Sequence, residues 1–508
     1  MPRKGFEKAR TGCITCKARK VKCDESWPKC LRCKASGRVC AGYRAPPIGS
    51  FSWKSLLLRP SILPSSTSNE LRGLDFFRCI IAPALTSPLG NSFWTRPVCQ
   101  LAIQEPATRY AVLAISSLYE RFDPFSYNSL SIEQDVAVGY YNKAMRRVAT
   151  SRSLDADTGV LISILFTCIG FLRGKTHEAI AHASHGTRIL TSMENPSPDI
   201  VALINHLSIF PHFFGSAAWE LPPLQPPKYP SRAILSLSQA VQTLDCLMSR
   251  CVRLLRAFDP FRLGQDKAEI PSPLILTQYE LLRELDIWYT EFSVFRENLE
   301  SNTENDAFLR ILEVRWYVCN IWLQIANQDE MFCDAIIFRE KFERIVDVAR
   351  EYAASSGLAP TKSPNFFKFE MELSPLLHFV VLKCRYLELR LAAWNLLRVV
   401  GCARESLWDS VIMYAIGRRV IEREHEIEIP PGITEEKLEH TGFNSALPSN
   451  DVRIRDSYLE DETELNVDCG GMMMTRMRIS FFVLHGGQSQ PKRVRDWIYL
   501  PVQNQNAT

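Results

Sequence analysis

Cys13-Ile-Thr-Cys16-Lys-Ala-Arg-Lys-Val-Lys-Cys23, continued by Lys29-Cys30-Leu-Arg-Cys33-Lys-Ala-Ser-Gly-Arg-Val-Cys40, decides how the N-terminal end of this chain folds. Six of the 16 cysteines fall in these 28 residues, separated in turn by two, six, six, two and six residues. Each half offers a Cys-x-x-Cys pair, which clamps a metal from a tight turn, and a third thiolate delivered after a short helical segment. Two tetrahedral zinc ions need eight ligand positions, and six thiolates fill them when two sulfurs bridge. Residues 1–44 hold no histidine, which excludes a Cys-Cys-His-His finger. A lone four-thiolate zinc site or an iron–sulfur cluster leaves two cysteines without a role. The spacing therefore points to one binuclear cluster of two zinc ions on Cys13, Cys16, Cys23, Cys30, Cys33 and Cys40, and it leaves open which two bridge.

Around this cluster, residues 1–44 carry 13 Lys and Arg against Glu7, Asp24 and Glu25, a net charge of +10. The remaining 464 residues carry −6, so the overall +4 averages two opposite populations. Two zinc ions on six thiolates lower the head to about +8. A short basic head on a mildly acidic body fits a partner that supplies phosphates, double-stranded DNA above all. Lys17, Arg19, Lys20 and Lys22 crowd the segment between Cys16 and Cys23, read here as a turn and a half of helix facing the duplex. Zinc-module helices of this kind place Arg and Lys on guanine O6 and N7 in the major groove. Lys34 and Arg38 of the second half flank a glycine and suit scaffold and phosphate contact better.

The run from Cys13 to Cys40, with Pro28 in its joining loop, resembles the zinc binuclear cluster family of fungal transcription regulators. The resemblance implies that Cys13 and Cys30 bridge the metals. It implies too that Arg19 and Lys20 read CGG-type triplets while Lys17 and Lys22 hold the backbone. A nuclear, sequence-specific regulator of RNA polymerase II transcription, working with the transcription machinery or co-regulators, follows from the same resemblance. Asp75-Phe-Phe-Arg78, Phe93-Trp94, Glu105-Pro106-Ala107, Leu172-Arg-Gly174 and His182-x-x-His185-Gly186 resemble the helical fungus-specific domain that often accompanies the cluster.

Residues 45–70, broken by Pro46, Pro47, Pro60 and Pro64, read as a Pro/Ser-rich linker. They show no sustained heptad, so a homodimer stays open but a coiled coil directly after the cluster does not follow. Residues 71–500 read as a large all-α regulatory domain, making the chain mainly α. Ala111, Ala114, Ile115, Leu118 and Tyr119 form a helical stripe after Pro106, and Leu281, Leu285, Trp288 and Phe292 form another. Ser374-Pro375 reads as the cap of one helix running to about Val400. Residues 422–471, with Pro430-Pro431-Gly432 and Glu460-Asp461-Glu462, read as acidic and partly disordered. Val160–Leu172 is too short for a membrane helix of roughly 20 residues and reads as a buried one. The N-terminal Met-Pro-Arg-Lys-Gly lacks a signal peptide's apolar core, so reduced thiols are expected.

Decoys for an enzyme fail on spacing. Gly170-Phe-Leu-Arg-Gly174-Lys175-Thr176 has three residues between its glycines where a phosphate loop needs four, and reads as helix-end chemistry. His177-Glu178 with His182 is an i, i+5 pair, not the i, i+4 pair of a metalloprotease. The reading is of a non-enzyme, with a small-molecule effector of the helical body left open. Two alternatives stand beside it: a cluster acting as a protein-interaction or metal-sensing knob, and an unrecognised active site in the body.

Overall fold

The computed structural model describes residues 12–24, 26, 29–42, 67–85, 93–122, 132–151, 154–194, 196, 198–210, 213, 233–266, 268–299, 303–355, 367–429, 446–469, 472–484 and 491–501. They fall into two compact units, Met1–Pro64 and Ser65–Thr508. Of the expected linker, residues 45–66 lie outside the described residues, as do Trp27 and Pro28. Its last residues belong to structure: Thr67 accepts from Glu70 N–H and Glu70 accepts from Thr67 N–H, a capping box that starts helix Ser68–Phe76.

The second unit is mostly helical. Its helices include Pro106–Glu120, Ala156–Leu172, Thr176–Thr191, Leu237–Arg262, Ser272–Glu297, Thr303–Ile325, Ile336–Ser355 and Ser410–His425. Pro106 takes the first turn behind an Glu105 cap, and Ala111, Ala114 and Ile115 are fully buried. The 272–297 helix buries Leu281, Leu285, Trp288 and Phe292, with Trp288 Nε1–H donating to the Thr243 hydroxyl at 2.9 Å. The 156–172 helix is buried on nearly every side, because the 106–120 and 176–191 helices pack against it. Gly174 ends it in a left-handed turn, φ +62°, as Lys175 N–H bonds back to Gly170 C=O. Helix-end chemistry is thus what the Gly170–Thr176 phrase encodes.

Two expectations need correction. The helix expected from Ser374 to Val400 is two, Leu373–Lys383 and Leu387–Val400. Ser374 does not cap it; its hydroxyl bonds the buried Glu405 carboxylate. The interruption at Cys384–Tyr386 turns charged side chains inward. Lys383 Nζ meets Glu330 at 2.7 Å, Arg385 reaches Glu330 and Glu424, and Arg390 meets Glu424 at 2.6 Å. Lys383, Arg385 and Arg390 are almost fully buried, so their charges are neutralised inside the fold and not by water.

The acidic stretch is the second correction. Helix Ser410–His425 runs into it, and residues 454–469 are a β-strand; 430–445 lie outside the described residues. Strands Ile454–Cys469, Met472–Leu484 and Pro491–Pro501 form an antiparallel sheet in that order. Alternation explains it. Ile479, Phe481, Val483, Ile498 and Leu500 point to one face and pack on Val420 of the 410–425 helix. On the other face Glu462 pairs with Arg478, Glu464 with Arg476 and Glu460 with Arg493. Arg476 and Arg478 also stack on the Trp497 ring. Glu460, Glu462 and Glu464 of the acidic stretch are therefore committed to arginines of the other two strands.

Candidate metal centre and nucleic-acid interface

The head repeats itself with an offset of 17 residues. Cys13 Sγ accepts from Cys16 N–H at 3.3 Å and caps helix Ile14–Ala18. Cys30 Sγ accepts from Cys33 N–H at 3.3 Å and caps helix Leu31–Ala35. Each helix has five residues, so the basic 17–22 segment is helical only through Ala18, shorter than its expected turn and a half. A left-handed residue then turns each half back, Lys20 (φ 56°) in the first and Gly37 (φ 64°) in the second. Val21 N–H returns to Cys16 C=O and Arg38 N–H to Cys33 C=O, which aims Cys23 and Cys40 inward.

This brings all six cysteines together. Cys13, Cys16, Cys23 and Cys30 form one quartet whose sulfurs lie within 4.8 Å of one another; Cys13, Cys30, Cys33 and Cys40 form a second. The quartets share Cys13 and Cys30. The shared sulfurs stand 3.6 Å apart, and Cys16 Sγ lies 3.7 Å from Cys30 Sγ. Thiolates placed tetrahedrally about 2.3 Å from a zinc ion stand about 3.8 Å apart, so the donor set fits two zinc ions. Burial pushes the Cys13 thiol up to about 12 and raises Cys16 and Cys30 too. Backbone donors at Cys30 and Gly42 bring Cys40 down to about 7. Sulfurs this crowded and dry are stable as thiolates only against cations among them.

Residues that spacing did not single out hold the cluster. A Cβ on Gly12 would lie 2.9 Å from Cys23 Cβ, so glycine is what lets Cys23 close in. The Thr15 hydroxyl donates to Val39 C=O at 3.2 Å and accepts from Ala41 N–H at 2.9 Å, tying the end of the module to its first helix. Asp24 accepts from Leu31 N–H at 2.9 Å and Arg32 N–H at 3.0 Å. The Ser26 hydroxyl, then those amides, hold the Asp24 carboxyl well below its usual range. The N-cap itself is Cys30, and Asp24 and Ser26 reach the helix from five to eight residues upstream, so no local cap spacing announced them.

Lys17, Lys20, Lys22, Lys34 and Arg38 are exposed, and Arg19 is half-buried, its Nη1 donating to the Ser36 hydroxyl at 3.1 Å. The head thus leaves its ammonium groups to solvent while its sulfurs are dry, the arrangement a phosphate-binding surface needs.

In the body, no further His, Cys, Asp or Glu group among the described residues is placed to hold a metal. His182 Nε2 instead meets the Tyr141 hydroxyl at 2.6 Å, with burial pushing its pKa down to about 4. Cys168, Cys246, Cys251, Cys319, Cys333, Cys384 and Cys402 are buried core thiols, Cys251 and Cys319 in contact with one another, and Cys79 and Cys99 are partly exposed. A cavity lined by His206, Phe210, Phe369, Met371, Ser406 and Trp408 has about 10 Å³ of room, about one water molecule. Among the described residues no helix is long and apolar enough to cross a membrane.

Residues 11–48 match the family described as fungal Zn(2)-Cys(6) binuclear cluster domain. The chain is 24% identical over 361 residues to the aspercryptin biosynthesis cluster-specific transcription regulator atnN of Emericella nidulans, covering 60% of this chain and 58% of that relative. It is 36% identical over 129 residues to the Zn(2)-C6 fungal-type transcription factor afumD of Aspergillus fumigatus, covering 23% and 34%. It is 26% identical over 204 residues to the transcription regulator lscL of Purpureocillium lilacinum, covering 35% and 48%. The chain thus matches less than two thirds of the length of each of these relatives. No solved structure matches it.

Proposed function

Because residues 11–48 are a fungal Zn(2)-Cys(6) binuclear cluster domain, which binds two zinc ions, we propose that this chain is a sequence-specific DNA-binding regulator of RNA polymerase II transcription. The observation that carries the reading is the pair of cysteine quartets sharing Cys13 and Cys30 beneath exposed lysines. Cys13, Cys16, Cys23, Cys30, Cys33 and Cys40 are the ligands, with Cys13 and Cys30 bridging. Bound metals would supply the charge that keeps these six sulfurs deprotonated, five of them buried, and so would fix the head's fold.

On that frame the chain's own residues read DNA. Arg19 and Lys20 donate to guanine edges of CGG-like half-sites, and Lys17, Lys22, Lys34 and Arg38 hold phosphates. The left-handed turn at Lys20 ends the short helix and swings the next residues away, so Arg19 and Lys20 stand at its tip. Residues 1–44 are the DNA-binding domain, 45–70 connect, and 71–500 couple binding to output through co-regulators in the nucleus. The chain acts by binding and not as an enzyme.

Selecting a random duplex pool with the full chain, at one stated salt concentration, tests this. The expected result is enrichment of CGG-like triplets with zinc and none after a chelator. Retention of two zinc ions per chain without enrichment of any motif overturns the DNA reading.

A further inference from the structure

The offset of 17 residues that relates the two halves makes Ser36 the counterpart of Arg19, and each is the C-terminal cap of its helix. These counterparts touch: Arg19 Nη1 donates to Ser36 Oγ at 3.1 Å. The same hydroxyl donates to Cys33 C=O at 3.1 Å. Cys33 is fixed in turn, its N–H on Cys30 Sγ and its side chain fully buried in the cluster. The guanidinium of Arg19 is thus referenced, through one hydroxyl, to the sulfur core. Lys17, Lys20 and Lys22 are exposed, whereas Arg19 is half-buried.

We propose that Ser36 is a positioning residue for DNA reading, which sets the Arg19 guanidinium before DNA arrives; the proposal rests on Arg19 being a base reader. A guanidinium has five N–H donors in a rigid fork, so giving one to Ser36 leaves a pair free for guanine O6 and N7. An arginine that is already oriented loses less rotamer freedom on binding, and the gain falls on the specific complex alone. The pseudo-symmetry explains why the second half cannot carry the same residue. An arginine at position 36 would put two like charges face to face, whereas a hydroxyl accepts from one and completes its orientation. The division between a reading half and a supporting half is set at this contact.

The test uses the full zinc-loaded chain and two duplexes, the one enriched by the selection above and the same duplex with its triplet altered. Ser36→Ala is expected to keep two zinc ions and its affinity for the altered duplex, while discrimination between the two falls about five- to tenfold. Ser36→Thr restores discrimination, and Ser36→Ala has no further effect in an Arg19→Ala background. Wild-type discrimination by Ser36→Ala, tighter binding, loss of zinc, or an equal drop in the Arg19→Ala background each overturns the proposal. If Arg19→Ala itself discriminates like the wild type, the base-reading assignment of Arg19 fails, and the role of Ser36 falls with it.

Discussion

In the head the fully dry side chains are cysteines, Cys13, Cys16, Cys30 and Cys33, with Val21 and Cys23 packed beside them. In the body they include Trp94, Trp288, Trp394, Phe258 and Phe342, with helix upon helix sealing them from water. Fewer than about 40 residues cannot bury enough apolar surface to fold alone, so the head depends on metal. The body depends on packing, and has surplus enough to bury ions: Arg385, Arg390 and Glu424 have no exposed side-chain surface. Cysteine therefore means opposite things in one chain. In the head it is the reason for the fold, and at Cys168 or Cys384 it is one small buried side chain among many.

The largest effect that would break this comparison is on the head. Cys30→Ser removes a sulfur common to both quartets. Metal analysis and near-ultraviolet spectroscopy should show the head unfolded and zinc-free, while the body's thermal transition stays where it was. A shared collapse of both would mean that the body's packing does not stand by itself.

Next comes the body's buried ionic cluster. Glu330 lies between Lys383 and Arg385, with Arg262 nearby, and these cations hold its carboxyl down to about 2 against the cost of burial. A carboxyl depressed in the folded state stabilises above its unfolded pKa, near ~4.3, and loses that contribution as pH falls through the folded value. Denaturant midpoints should therefore decline from about pH 4.5 toward pH 2. Glu330→Gln leaves Lys383 and Arg385 short of a counter-charge, and should cost about 3 kcal/mol near pH 7 and flatten that acid limb. An unchanged limb in the variant would assign the acid sensitivity elsewhere.

The smallest effect sharpens the comparison within the head. Lys20 occupies the left-handed position that Gly37 fills in the other half. Lys20→Gly and Lys20→Ala both lack the ammonium group, so both should weaken DNA binding. Competition against a chelator should show the glycine variant holding zinc more tightly than the alanine variant, by about 1 kcal/mol of head stability.

Much of this was legible. The two-six-six-two-six spacing named the cluster, because metal geometry dictates ligand spacing almost without regard to the rest of the chain. The stripes at Ala111–Tyr119 and Leu281–Phe292 were legible because a helix buried on one side repeats its apolar residues every turn. The sheet was not, for two reasons. Its outward residues are charged, so Glu460, Glu462 and Glu464 read as part of an acidic, partly disordered stretch. Their arginine partners also lie 12 to 35 residues away. The break at Cys384–Tyr386 was hidden because Lys383, Arg385 and Arg390 fit an exposed helix face by composition. Gly12, Thr15 and Ser36 carry no spacing signal at all.

The sulfur cluster, the charge division between a basic head and an acidic body, and the helical character of most of that body are written in the order of residues alone. These rest on local rules: ligand spacing, net charge and periodicity act within a few turns of chain. Folding in three dimensions settles which sulfurs are common to both quartets, that the acidic stretch contains a paired strand, and that Arg19 meets Ser36. Each of those is a contact between residues far apart in the chain, settled by which burial leaves the fewest charges and polar groups without a partner.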